Sequence, residues 1–235
     1  MIFFDLDGTL LDHSEAERRG ALAFQCEHSD VFKESPSEFV LFWRSVSEKH
    51  MDRFLAGEIG EQDQRRARMR ELFSRNCSSL SDRDADELFE QYLARYQQSW
   101  FLFADVMPFL AGAKNRRMGI ITNGGPTQQR KKLVDTRISD FFDVVVISGE
   151  TGVSKPDARI FETACQQASA QPEVCVYVGD RLETDAVAAS DAGLLGIWLD
   201  RNGEASGGIR VPVIQNLAQL PELLKSHNKP MVEPA

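Results

Sequence analysis

The chain has 235 residues, 42% of them hydrophobic, and a formal net charge of −9 at pH 7. That length buries the core of one large domain or of two unequal ones. The acidic balance, without any basic stripe, excludes a nucleic-acid polymer as partner, while a small phosphorylated ligand depends only on the local field of its pocket.

No apolar run reaches membrane-spanning length and no basic–apolar–small leader opens the chain, so the expectation is a cytoplasmic protein with no membrane partner. Cys26, Cys77, Cys165 and Cys175 have no metal-ligand spacing and are expected as reduced, packed thiols.

The chain opens with an apolar run, Ile2–Phe4, that reads as a buried strand, followed by Asp5-Leu6-Asp7-Gly8-Thr9-Leu10. Side chains two apart on extended backbone share a face, so Asp5 and Asp7 project together from the strand's carboxyl end. In an open α/β sheet ligands bind at that end. Two carboxylates so close need a cation or a shared proton.

From Asp12 to about Trp100 helical periodicity takes over. A first helix is expected over Ser14–His28, with Ala16, Ala21 and Phe24 inward. Ser35-Pro36-Ser37-Glu38 is a capping box, and Phe39, Phe42, Trp43, Val46, His50 and Phe54 recur behind it as an apolar stripe. Gly57 and Gly60 break that helix. A third, over Glu61–Arg75, has an arginine-rich outer face and buries Leu72 and Phe73; a fourth starts at Ser81 and turns Ala85, Leu88, Phe89, Tyr92 and Tyr96 to one side. Four such helices make a small all-helical domain.

After Pro108 strands and helices alternate, as in a doubly wound parallel sheet. Strands are expected at Met118–Thr122, Val144–Ser148, Glu173–Val178 and Leu195–Leu199, with helices near Phe109–Arg116, Thr127–Val134, Asp157–Ala168 and Thr184–Ala192. A last helix follows Asn216, and a polar tail runs from about Ser226. A parallel crossover takes on the order of thirty residues. More than a hundred separate the first two strands, so the helical block is an insertion leaving right after the acid pair. The expected division is a core of residues 1–12 and 101–235 with a helical cap of residues 13–100.

Three further strands end in groups of chemical interest: Thr122-Asn123-Gly124-Gly125 as an anion cradle, Lys155 before Pro156, and Asp180 with Asp185 as a second acid pair. Singly, each has a plain structural account: a β-branched strand residue, a solvated lysine, a turn. Together, in this order, they resemble the haloacid dehalogenase-like (HAD) superfamily, whose first motif Asp5-Leu6-Asp7-Gly8-Thr9-Leu10 matches, and whose type 1 cap occupies the place of the helical block. The run from Gly119 through Arg159 is most similar to the branch of 5′-nucleotidases and N-acylneuraminate-9-phosphatase. Arg181 departs from the Ser or Thr of many relatives.

The resemblance implies a phosphatase with a Rossmann-like core in which the first and fourth strands lie side by side. Clustered carboxylates and phosphate chemistry select Mg²⁺. The family's geometry implies ligation by Asp5, Asp180 and the backbone carbonyl of Asp7, with Asp185 acting through water. Spacing alone does not choose the nucleophile between Asp5 and Asp7; the resemblance makes it Asp5, with Asp7 moving protons and Thr122, Asn123 and Lys155 holding phosphate. The core equally suits a phosphomutase resembling β-phosphoglucomutase. A haloacid dehalogenase would lack the second aspartate, and a receiver module would lack the insertion. His13, Trp43, His50, Arg53 and Phe54 are cap residues that could meet the leaving group. Whether the enzyme is a monomer or a dimer is open.

Overall fold

Two compact units make up the chain, His13–Trp100 and the pair of segments Met1–Asp12 with Phe101–Ala235. The computed structural model describes residues 1–74 and 80–227. The expected end of the third helix at Arg75, the thiol of Cys77 and the tail beyond His227 lie outside the described residues.

The helical unit holds α1 (His13–Glu27), α2 (Pro36–Leu55), α3 (Glu61–Phe73) and α4 (Asp82–Gln98). The start of α2 follows from its first four residues: Ser35 Oγ accepts the Glu38 N–H, and the Glu38 carboxylate accepts the Ser35 N–H at 3.0 Å. Aromatic side chains fill the middle, where Phe24 meets Trp43, Phe73 and Tyr92, and Phe32 meets Phe39 and Phe73. Of the stripe expected on α2, Phe39, Trp43 and Val46 are core, Trp43 being 2% exposed, while Phe42 and Phe54 are only partly buried. His50 is buried too, its Nε2 paired with Glu71 at 2.8 Å, while Arg53 reaches Glu58. Cys26 is exposed and not packed as expected, because it falls beside the inward Phe24 and Gln25 on the far side of α1.

In the other unit β1 (Ile2–Phe4), β2 (Met118–Thr122), β3 (Val144–Ile147), β4 (Val176–Gly179), β5 (Leu195–Leu199) and β6 (Val213–Ile214) form one parallel sheet, ordered β3-β2-β1-β4-β5-β6. Helices α5 (Val106–Gly112), α6 (Pro126–Asp135), α7 (Ser148–Thr151), α8 (Ala158–Gln167), α9 (Ala188–Asp191) and α10 (Leu220–His227) accompany it. Alternation along β1 explains the apolar run: Phe3 packs with Ile121, Phe161 and Tyr177, while Phe4 meets Phe109 with ring centroids 5.6 Å apart. The strands count outward in one direction from β1 and in the other from β4. The sheet's topological switch point, where open α/β sheets bind ligands, therefore lies between them.

Local differences from expectation have local causes. Pro172 fixes φ for a 3₁₀ turn over Pro172–Val174, so β4 starts at Val176. Ser148 begins α7 instead of ending β3. β6 is too short for a periodicity signal. The helix after β4 opens as a π-turn, Leu182–Val187, before α9; such wide turns collect at functional sites.

Gly196 of β5 lets that π-turn lie against the sheet, because a Cβ there would fall 1.9 Å from the Ala186 carbonyl oxygen. Gly196→Ala is therefore expected to cost about 1–3 kcal/mol in urea unfolding, as overpacking does. An unchanged midpoint would contradict this packing.

Candidate active site

The acidic side chains of the site hang from a carboxyl-terminal strand end or the turn behind it. Asp5 extends β1, its N–H bonded to the Val178 carbonyl of β4 at 2.9 Å. Asp180 follows β4, and the π-turn swings Asp185 back toward it. Gly8 sits at φ +87°, and a Cβ there would stand 2.3 Å from Asp180 Oδ2. The glycine after the acid pair thus gives room for the second pair as well as the turn.

The buried Lys155 ties the cluster. Its Nζ donates to Asp5 Oδ1 at 2.6 Å, to Asp185 Oδ1 at 2.6 Å and to the Tyr177 hydroxyl at 2.8 Å. Thr9 Oγ1 bridges Asp5 Oδ2 and Asp180 Oδ1 at 3.3 and 3.2 Å. Asn123 clasps the backbone of Lys155 from both sides, donating to its carbonyl at 3.0 Å and accepting from its N–H at 2.9 Å. Arg181 N–H donates to Asp185 Oδ2 at 3.0 Å, a backbone contact that any residue can make.

Oxygens of Asp5, Asp180 and Asp185 all lie within 4.8 Å of one another. Three carboxylates against one ammonium leave two negative charges uncompensated, which fits a divalent cation with oxygen ligands. Burial pushes Asp5 up to about 7 despite Lys155, with Asp185 and Asp180 adding to the rise. Burial and Asp185 push Asp180 up to about 6. Burial alone would lower Lys155, but Asp5 and Asp185 outweigh it and hold it above the ordinary lysine value.

Asp7 stands apart from this cluster. Its carboxylate accepts from Lys132 Nζ at 2.7 and 2.6 Å and from Gln129 Nε2 at 3.0 Å. Gln129 also donates to Thr122 Oγ1 at 2.7 Å and accepts from Lys132 at 2.8 Å. Of the sequence candidates, Asp5, Lys155, Asp180 and Asp185 thus share one cluster, Asp7 and Thr122 share a neighbouring network through Gln129, and Asn123 shapes the loop carrying Lys155. Sequence reasoning missed Thr9, Gln129, Lys132 and Tyr177. Gln129 and Lys132 lie three apart on α6 and reach the same face, a spacing that could have drawn attention to them.

A parallel sheet with acids, a hydroxyl and an ammonium gathered at its switch point has the make-up of an α/β enzyme's active site. A model of haloacid dehalogenase-like hydrolases matches residues 1–193, and the chain belongs to that family. It is 30% identical over 240 residues to N-acylneuraminate-9-phosphatase from Homo sapiens, spanning 96% of this chain and 93% of the relative. In fold it is similar to the HAD-hydrolase YfnB from Bacillus subtilis bound to magnesium, with a TM-score of 0.78 at 21% identity over 95% and 97% of the two chains. It is likewise similar to a 2-haloacid dehalogenase from Pseudomonas syringae pv. Tomato DC3000, with a TM-score of 0.70 at 27% identity over 96% and 98%. Over 134 residues, 54% of this chain and 53% of the relative, it is also 37% identical to phosphoserine phosphatase from Thermus thermophilus. No helix among the described residues is long and apolar enough to cross a membrane.

The raised carboxyls set a pH dependence. Between the ordinary aspartate value and about 7 the folded chain binds more protons at Asp5 than the unfolded chain does, so stability falls as pH rises through that window. With divalent ions chelated, the thermal midpoint should drop from pH 4.5 to 7.5, and less in Asp5→Asn. Equal slopes for the two proteins would contradict the burial of an uncompensated Asp5.

Proposed function

We propose that this enzyme is a Mg²⁺-dependent phosphatase of small phosphorylated metabolites, sugar phosphates or nucleoside monophosphates, working through an aspartyl-phosphate on Asp5. The observation that carries the reading is the gathering of Asp5, Asp180 and Asp185 around Lys155. The phosphatase named among the relatives and the magnesium in a structure of like fold support the substrate class and the ion. Asp5, Asp180, Asp185 and the Asp7 backbone carbonyl are the groups that would hold the ion. When bound, the ion offsets charge between carboxylate and phosphate.

The family resemblance makes Asp5 the nucleophile; Lys155 holds its Oδ1, and Oδ2, which accepts the Thr9 hydroxyl, is the oxygen that meets phosphorus in line. As the Oδ2–P bond forms, the ester P–O bond breaks and Asp7 gives a proton to the departing alcohol. Thr122, Asn123 and Lys155 hold the equatorial oxygens. Water then attacks phosphorus, passing its proton to Asp7 and releasing phosphate from Asp5. Gln129 and Lys132 aim the Asp7 carboxylate.

The likeness to a 2-haloacid dehalogenase favours a second reading, displacement of halide from carbon by Asp5. That chemistry uses neither an acid at position 7 nor a metal, whereas this chain has Asp7 and three carboxylates close enough to hold an ion.

Asp5→Asn should cut p-nitrophenyl phosphate turnover at least about 10³-fold, as loss of a nucleophile does. EDTA should stop the native enzyme and Mg²⁺ restore it; chloride release from 2-chloropropionate without metal would favour the dehalogenase reading instead. Lys132→Met should harm an alkyl phosphate, whose leaving group needs a proton, at least about tenfold more than p-nitrophenyl phosphate. Equal losses on both esters would remove Lys132 from the aiming of Asp7.

A further inference from the structure

Side chains alternate along β4, and Tyr177 falls on the face that packs with Phe3, Ile121 and Phe161. It is 0% exposed, and its ring meets that of Phe161 edge-on with centroids 5.1 Å apart. A phenylalanine would fill that space as well. A hydroxyl sunk in an apolar core costs free energy unless it is hydrogen-bonded, so its presence calls for a reason other than packing.

The reason lies at its tip. The hydroxyl accepts from Lys155 Nζ at 2.8 Å, and the Ile121 carbonyl and Asp185 Oδ1 both stand 3.1 Å away to take its proton. Ile121 belongs to β2, so the side chain reaches from β4 past β1, the strand that Asp5 extends, to main chain on the other side.

An ammonium has three protons to give and no lone pair. Those of Lys155 go to Asp5 Oδ1, Asp185 Oδ1 and the phenol. Two of these partners change their role during a phosphoryl transfer: Asp5 turns from carboxylate into acyl phosphate, and Asp185 belongs to the trio that a cation fits. The phenol does not change. It is neutral, its ring is locked by packing and its oxygen is tied to backbone.

Lysine is a point charge on a flexible stem, and its position follows its partners. Bonds to carboxylates are stronger than a bond to a neutral oxygen, so without the phenol the ammonium would settle wherever the two acids draw it. Misplacing a charged group by about 1 Å costs on the order of 10²-fold in rate, because its field must fall where charge develops.

We propose that Tyr177 is a positioning residue, whose hydroxyl holds the Lys155 ammonium at one height through both steps of the reaction. The inference rests on the reading that the enzyme is a phosphatase in which Lys155 meets the phosphoryl oxygens.

The test uses full-length enzyme with Mg²⁺ and p-nitrophenyl phosphate, with Tyr177→Phe removing the hydroxyl and keeping the ring. Its kcat should fall about tenfold or more while KM moves less than about threefold, since the contact is one that strengthens in the transition state. Orthovanadate, which takes up the five-coordinate geometry of an in-line transfer, should inhibit Tyr177→Phe at least about tenfold more weakly than native enzyme. Inhibition by inorganic phosphate, a ground-state mimic, should change less than about threefold. Tyr177→Met, which fills the space with a flexible apolar chain, should show the same split.

A purely structural role gives a different pattern. Loss of folded enzyme lowers kcat and leaves the vanadate inhibition constant unmoved, and that result would overturn the proposal. So would a kcat for Tyr177→Phe within about twofold of native, or vanadate and phosphate weakened alike. Native enzyme inert toward p-nitrophenyl phosphate would overturn the phosphatase reading itself, and this inference with it.

Discussion

The contact on which the site depends is a buried ammonium between two carboxylates, Lys155 with Asp5 and Asp185. Breaking a buried pair by removing one partner typically costs about 3–5 kcal/mol, because an uncompensated charge stays behind. The fold meets that demand from three directions: Tyr177 takes a third proton of the ammonium, Asn123 fixes the lysine's backbone, and Thr9 spaces Asp5 from Asp180. One ammonium does not balance three acids. The residual charge makes the pocket one that a divalent cation fits.

Sheet topology brings these groups together more than any local preference does. With β1 and β4 adjacent, residues 175 positions apart in the chain, Asp5 and Asp180, meet across one strand spacing. The helical block is covalently spliced in just after the first acid pair and has its own aromatic core.

Much of this was legible in the residues, for reasons that differ by element. Apolar runs marked β2, β3 and β5 because a sheet covered on both faces needs them, and polar groups just past such runs stand at the ligand-binding edge. Asp5, Lys155, Asp180 and Asp185 were visible in that way. Lys132 and Gln129 were not, since a lysine and a glutamine on a polar helix such as α6 read as solvated surface until Asp7 is seen to face them. Arg68, buried on α3, was misread for a similar reason: among four arginines in six residues, composition does not say which one turns inward. The π-turn that aims Asp185 has no periodicity signature of its own, and Tyr177 looked like any aromatic strand residue.

The central claim is that Asp5 carries the phosphoryl group, and covalent trapping tests it most directly. Borohydride added to enzyme quenched in acid during turnover reduces an aspartyl-phosphate to homoserine, which peptide mass spectrometry locates. The account predicts homoserine at position 5, with Asp7 intact. Homoserine at position 7, or unmodified aspartate at both positions in enzyme shown to be turning over, would contradict it.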